Sequence, residues 1–297
     1  MRYVILDLEW NGSYSKRVHK FVNEIIEFGA VKVDSDLQII DTFSVLITPQ
    51  IGKKLSSKVR ELTKITNEEL ADKGITFMEA VEQFTEFSKD SVLLTWGTSD
   101  IHALIENYSY YTEDIHLPFL NEYCDLQVYC ESCLDLHNSA CQLGLSTCAE
   151  RIGLTFSEEE QHRAFFDSLL SLRCLSHFIK DYPLDHFIKD ARQQSFYDRM
   201  LFKTHFITDL NSADIDKTQL NFDCDICGAD AKQLKQWRLQ NKSFVSEFSC
   251  TKCSRSFLGR ISFKKKYDSV TVNKKIVEKK QKENKDSDSD KKLKIET

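Results

Sequence analysis

Near the start of the chain, in RYVILDLE, Asp7 and Glu9 stand two residues apart. Alternate side chains of an extended strand share a face, so both carboxylates point the same way. Two acids side by side in a buried strand repel one another and are costly to desolvate unless a cation lies between them. An edge strand carrying two solvated acids is the plainer alternative, and the apolar residues flanking the pair argue for a central strand. Asp100 follows SVLLTW and a short turn. That is the C-terminal end of a strand, where open α/β sheets place their sites; taken alone, Asp100 also reads as a helix-capping residue. His162 and Asp167, in HRAFFD, add an imidazole and a fourth carboxylate just before and within an amphipathic segment. Such an oxygen-rich set suits hard divalent cations.

A second constellation is made of thiols. Cys224, Cys227, Cys250 and Cys253 form C-x₂-C-x₂₂-C-x₂-C, with Gly228 after the first pair. Four thiolates at two-plus-two spacing suit tetrahedral zinc, with no position left for water, so the ion would be structural. Around them run Lys232, Lys235, Trp237, Arg238, Lys242, Phe244, Phe248, Lys252, Arg255, Phe257, Arg260 and Lys264 to Lys266. Interleaved cations and aromatics suit phosphate attraction with base stacking, while a module this small also needs its aromatics for a core. Cys130 and Cys133, near Cys124, His137 and Cys141, lie in an expected helix without a knuckle glycine and read as core thiols.

The elements that must carry these residues follow from pattern. Residues 2–9, 24–34 and 38–47 are β-branched and apolar and read as three successive strands. Phe77, Ala80, Val81, Phe84 and Phe87 fall at helical spacing, which predicts a helix over 77–89. A buried strand is expected at 91–96, a helix opening at Ser99 or Asp100, and a short strand near 122–126. Helices near 127–137, 147–153 and 163–180 follow, so meandering strands give way to alternating strands and helices, the mark of a mixed α/β sheet.

The order D-x-E, then W-G-x-x-D about ninety residues on, then H-R-A-x-x-D ahead of an amphipathic helix resembles the DEDDh 3′→5′ exonucleases. These belong to the DnaQ-like branch of the RNase H-like superfamily, and the Eri-type enzymes have the nearest flavour. NEIIEFGAVKVD looks like the family's second strand and ELTKITNEEL like its substrate-side loop; the likeness covers residues 1 to 180 or so. It implies an RNase H-like mixed five-stranded sheet flanked by helices; the spacing of the four cysteines, outside the resemblance, reads as a small zinc-ribbon module that follows it. It also implies stepwise hydrolysis of single-stranded nucleic acid with a free 3′ end, RNA more than DNA, to 5′-nucleoside monophosphates. By the same resemblance Asp7 bridges two Mg²⁺ or Mn²⁺ ions, Glu9 and Asp167 complete one site, and Asp100 holds the other, partly through water. His162 is then the general base, a role suited to an imidazole with an ordinary pKa near 6.5. Trp10-Asn11-Gly12 departs from the small residue and Thr or Cys more usual in Eri-type enzymes. Trp10 is either a core or lid aromatic or a substrate-binding wedge on the terminal base. A nuclease-fold adaptor acting through the ribbon is the alternative to catalysis.

Charge divides the chain. Residues 221–297 carry 19 Lys+Arg against 11 Asp+Glu, or +8, which leaves −14 for residues 1–220 of a chain with net charge −6. An acidic metal-binding body joined to a basic module is the reading. At 297 residues the chain is long enough for a full catalytic domain and a smaller one. The expected divisions are 1–182 for the exonuclease domain, 183–220 for a helical extension and linker, 221–266 for the zinc ribbon, and 267–297 for a disordered charged tail. No stretch approaches the roughly 18 to 20 apolar residues of a membrane span, and the N-terminus enters a strand directly without an export signal. With ten Cys in a large chain, reduced thiols and a cytoplasmic setting are expected over a disulfide scaffold.

Overall fold

A computed structural model describes residues 1–136, 142–157 and 162–278. The chain divides into two compact units, residues 1–201 and residues 202 onward.

The first unit opens with a long meander of β1 (Tyr3–Ser15), β2 (Lys20–Val33) and β3 (Ile39–Leu46). Short helices α1 (Ser57–Thr63) and α2 (Asn67–Lys73) lead to α3 (Phe77–Phe87), which starts in a capping box between Thr76 and Glu79. Then come β4 (Val92–Thr95), α4 (Ser99–Thr112), β5 (Glu122–Asp125), α5 (Leu126–Cys133), α6 (Leu145–Arg151) and α7 (Ala164–Phe178). The strands of this unit form one sheet in the order β3-β2-β1-β4-β5-β6, with β6 (Lys189–Asp190) at its edge. β1 is antiparallel to β2 and parallel to β4, and β4 is parallel to β5, so the mixed α/β sheet stands. It has a sixth strand beyond the five expected, because two residues returning along β5 bear no strand pattern in sequence.

Alternation along β1 sorts the core into two layers. Val4, Leu6 and Leu8 pack with Phe28, Phe84 and Ile101 on one face. Tyr3 and Ile5 pack with Cys124, Tyr129, Cys174 and Leu175 on the other. Asp7 and Glu9 continue the second set. Cys124, Cys130, Cys148 and Cys174 are fully buried in this layer and Cys133 is partly so, as core thiols; His137 and Cys141 lie outside the described residues. The expected extension divides: Ala191, Phe196 and Tyr197, the latter two on α8 (Gln194–Leu201), enter the first unit's core.

The second unit is a β module of β7 (His205–Phe206), β8 (Phe222–Asp223), β9 (Asp230–Gln233), β10 (Arg238–Gln240), β11 (Ser243–Cys250), β12 (Ser256–Lys265) and β13 (Val270–Val277). Ile207 and Ile215 pack in its core with Phe222, Phe244, Phe248, Phe257, Ile261 and Phe263, so the expected linker contributes to it. The module expected as a ribbon does not stop at residue 266. β13 pairs with β12 from Leu258↔Val277 to Lys265↔Val270, and its alternation of Val270, Val272 and Ile276 with polar residues is a half-buried strand hidden in a charged sequence. The rest of the expected tail, from 279, lies outside the described residues. Among the described residues no helix is long and apolar enough to cross a membrane.

Candidate active site and cysteine cluster

β1 and β4 pair only as far as Leu6↔Thr95. Beyond that point β4 turns away through Trp96 and Gly97, which adopts φ +78°, a conformation natural to glycine. Thr95 Oγ1 and Tyr123 Oη both donate to the Gly97 carbonyl, at 2.6 and 2.9 Å, and lock the turn. The turn launches α4 with Asp100 in its first turn, and Asp100 Oδ1 accepts the Leu8 N–H at 3.1 Å. Asp100 is thereby held, 4 % exposed, beside the strand segment that carries Asp7 and Glu9.

The neighbouring strand adds an acid that the sequence reading missed. Glu9 pairs with Glu27, but Trp10 pairs with Ile25, so Ile26 is an extra residue in a β-bulge. Strand alternation would put residues three apart on opposite faces. The bulge instead lets both glutamates of NEIIE face the side of Asp7 and Glu9: Glu27 opposite Glu9, and Glu24 opposite Asn11. Glu24 accepts the backbone N–H groups of Gln50, Ile51 and Gly52 at 2.5–2.8 Å and the Ser13 hydroxyl at 2.6 Å, anchoring the loop after β3. Glu27 takes the Arg163 guanidinium, with Nη2 at 2.7 Å and Nε at 3.1 Å from Oε1, and also the Ala164 N–H at 3.2 Å. α7 has no side-chain cap of its own, so a strand carboxylate supplies one.

The same helix start is pressed against Gly29, which faces Asp7 across the ladder. A Cβ there would lie 2.0 Å from Phe165 N and 2.1 Å from the Ala164 carbonyl carbon. Only glycine lets α7 approach so closely. With its first turn pinned at Gly29 and Glu27, α7 directs Asp167 toward β1, and His162 (φ 64°) donates its backbone N–H to Asp167 Oδ2 at 3.2 Å.

Ligand atoms of Glu9, His162 and Asp167 come within 4.8 Å of one another. Asp7, Glu9, Asp100, His162 and Asp167 all line one cleft of about 280 Å³ together with Trp10, Trp96, Leu145 and Ser146. All five expected polar residues therefore meet. Trp10 is partly buried, packs against the core beside Leu8 and also lines the cleft, so both readings of it keep a basis. Trp96, fixed by its Nε1 donating to the Leu143 carbonyl at 3.0 Å, and Ser146 are additions that no local signal marked.

Burial and mutual repulsion raise every carboxyl of this group. Asp7 is pushed up by burial and then by Asp100, Asp167, Glu9 and Glu27. Burial, then Asp167 and Glu27, take Glu9 to about 8. Asp100 is held near 7 by burial, opposed by its own backbone N–H and that of Leu8, and burial raises Asp167. Converging oxygens that hinder one another's ionisation are what a bound cation relieves, so the donor set fits hard divalent ions.

In the second unit Cys227 Sγ lies 3.4 Å from Cys250 Sγ, and Cys253 Sγ lies 3.7 Å from both Cys224 and Cys227. A tetrahedron with Zn–S near 2.3 Å has S···S edges of about 3.8 Å. Backbone N–H groups of Lys252 and Cys253 point at Cys250 Sγ, each at 3.4 Å, and help hold that thiol down near 6. The four thiols thus fit a tetrahedral metal. The aromatics expected to interleave with the cations prove structural: Phe244, Phe248 and Phe257 are at most 4 % exposed, and Trp237 packs on Phe222 and Phe248.

Residues 4–175 match the exonuclease family. The chain belongs to that family. It is 32% identical over 130 residues to the probable 3′-5′ exonuclease KapD of Bacillus subtilis, covering 42% of this chain and 60% of that protein. It is also 26% identical over 248 residues to the PolC-type DNA polymerase III of Thermotoga maritima, covering 83% of this chain but 16% of that one. The chain therefore spans less than two thirds of the curated relatives it matches. Among solved structures, the nuclease domain of 3′hExo, a DEDDh family member bound to rAMP, superposes with TM-score 0.51 at 22% identity, covering 60% of this chain and 92% of that one. That likeness establishes the fold of the first unit as that of the DEDDh nucleases.

Proposed function

We propose that the chain is a metal-dependent 3′→5′ exonuclease that removes 5′-nucleoside monophosphates from single-stranded nucleic acid. The observation that carries this reading is the convergence of Asp7, Glu9, Asp100, His162 and Asp167 from three separate segments into one cleft. The carboxylates of Asp7, Glu9 and Asp167 would hold one Mg²⁺ or Mn²⁺ ion, and Asp7 with Asp100 the second. Such a pair of ions, when bound, neutralises the charge that develops on the scissile phosphate. The His162 ring, exposed and within 4.8 Å of Glu9 and Asp167, would take the proton of the attacking water. That water forms the new P–O bond as the bond to the neighbouring 3′ oxygen breaks. Arg163 and Glu27 are positioning residues that fix the start of α7. Trp10 and Trp96 wall the cleft where the terminal nucleoside would lie, and RNA is the preferred substrate through the Eri-like resemblance. The four cysteines would hold one structural Zn²⁺.

The test is digestion of 5′-labelled single-stranded RNA and DNA with Mg²⁺, with Mn²⁺ or without a divalent cation, comparing wild type with Asp7→Asn and His162→Ala. Metal-dependent stepwise shortening from the 3′ end, abolished in both variants, is expected. Intact oligonucleotides under every condition would overturn the reading in favour of an adaptor that keeps the nuclease fold.

A further inference from the structure

The inner face of the β11-β12-β13 sheet carries Phe244, Phe248, Phe257, Ile261 and Phe263. The opposite face is built differently. Strand register lays Arg238, Val245, Arg260 and Lys275 in one cross-strand row, and Gln240, Ser243, Ser262 and Asn273 in the next. Asn241 and Lys242 turn the β10-β11 hairpin with φ of 47° and 60°, which brings Asn241 to the rim. Asn241, Ser243, Arg260, Ser262, Asn273 and Lys275 enclose a hollow of about 380 Å³. Its lining holds two cations and no acid. Glu247, one row away on this face, is already paired with Lys235 at 2.7 Å.

Arg260, on β12, is one of the two cations in this lining. Its Nε is buried and has no hydrogen-bond partner among the described residues, and Nη2 reaches only the Gln240 carbonyl, at 3.4 Å. Buried polar atoms in folded proteins are almost always paired, so the unpaired Nε shows that the module itself does not saturate this guanidinium. The planar fork of arginine matches the paired oxygens of a phosphate. Lys275, directly across the ladder, adds a second cation, and the Ser and Asn side chains add neutral donors. With Phe244, Phe248 and Phe257 committed to the core, the lining of the hollow offers charge and hydrogen bonds and no aromatic ring; Phe206, partly exposed opposite Lys264 with Lys242 over its ring, lies outside that lining.

We infer that this face is a phosphate-backbone site, which holds single-stranded nucleic acid by charge and without base readout. The identity of the ligand rests on the exonuclease reading, since a polyanion is what the first unit would act upon. The +8 balance of residues 221–297 agrees with it. The site would tether a long substrate while its 3′ end is digested elsewhere in the chain.

The experiment uses the full-length, zinc-loaded protein carrying Asp7→Asn, so that the substrate survives. Anisotropy of a labelled 20-nucleotide oligouridylate is titrated across a NaCl series for the parent, for Arg260→Gln/Lys275→Gln, and for Asn273→Asp, which places a repelling charge at an exposed position. Loss of two phosphate contacts should flatten the slope of log affinity against log salt by about 1.4, at about 0.7 per contact on a single strand. Binding should weaken about tenfold or more at low salt in both variants, with zinc content and Tm unchanged. In the active background the double substitution should raise KM for the 20-mer and leave turnover of a dinucleotide unaltered. Unchanged affinity and slope in both folded variants would overturn the site, as would equal competition by polyglutamate at matched charge. If wild type digests nothing yet binds with the predicted slope and loses it in the variants, the site stands and the exonuclease reading falls.

Discussion

Removing Arg163 should harm the first unit more than removing the charge of its partner Glu27, because the two ends of this ion pair are buried to different depths. The Glu27 side chain is 1% exposed and the Arg163 side chain 32%. In Arg163→Met the carboxylate keeps only the Ala164 N–H and remains among Glu9, Asp7 and Asp167, with no route to water. An uncompensated buried charge of this kind costs about 3–5 kcal/mol. In Glu27→Gln the guanidinium can turn outward to solvent, and the amide oxygen still accepts from Ala164. The loss is then that of a charge-assisted hydrogen bond, about 1.5–3 kcal/mol, lessened because Glu27 no longer repels Asp7 and Glu9. Urea unfolding with Mg²⁺ present, with the transitions of the two units fitted separately, measures both. At an m-value near 2–3 kcal/mol/M, Arg163→Met should lower the midpoint of the first unit by about 1–2 M and Glu27→Gln by less than half as much. Both should lower kcat with little change in KM, because the pair sets the start of the helix that holds Asp167. A Glu27→Gln loss equal to or larger than that of Arg163→Met would refute the argument from burial. So would losses below about 1 kcal/mol for both, the scale of an exposed ion pair.

Gly29→Ala should disable the first unit, since a Cβ 2.0 Å from Phe165 N meets backbone that cannot swing aside; loss of both activity and Tm is expected, and a fully active variant would show that α7 is not seated there. The raised carboxyls make stability depend on pH in a defined direction. Glu9 at about 8 and Asp100 at about 7 stay protonated in the folded state where the unfolded chain has already ionised. The contribution of these two groups to stability is therefore full below about pH 4 and is lost as pH rises toward 8. Without added Mg²⁺ or Mn²⁺, Tm should fall over that range by calorimetry, and the gain from Mg²⁺ should be largest at its alkaline end; a Tm that rises with pH would exclude this linkage. Cys227→Ser should abolish stoichiometric zinc by metal analysis and melt the second unit, while a dinucleotide is still cleaved; retention of one zinc per chain would remove Cys227 from the ligand set.

The sequence alone determined the fold class of this protein and which chemistry-bearing residues to follow, because those depend on residue types at short spacing. D-x-E on one strand face, Asp100 after a buried strand, HRAFFD before a helix, and two C-x₂-C pairs are local patterns, and each landed where its period required. Tertiary structure decided the rest. Glu27 and Arg163 lie 136 residues apart, and Glu27 reaches the site only through the bulge at Ile26; strict alternation gives no warning of an inserted residue. β6 and α8 join the first unit through a few side chains such as Phe196, and β13 rests on three apolar residues among charges, signals too sparse to outweigh a polar composition. In the second unit the interleaved aromatics and cations could not be assigned to a face until the strand register was known. A shift of one residue exchanges inside for outside, and register is set by pairing partners that lie far away in the chain.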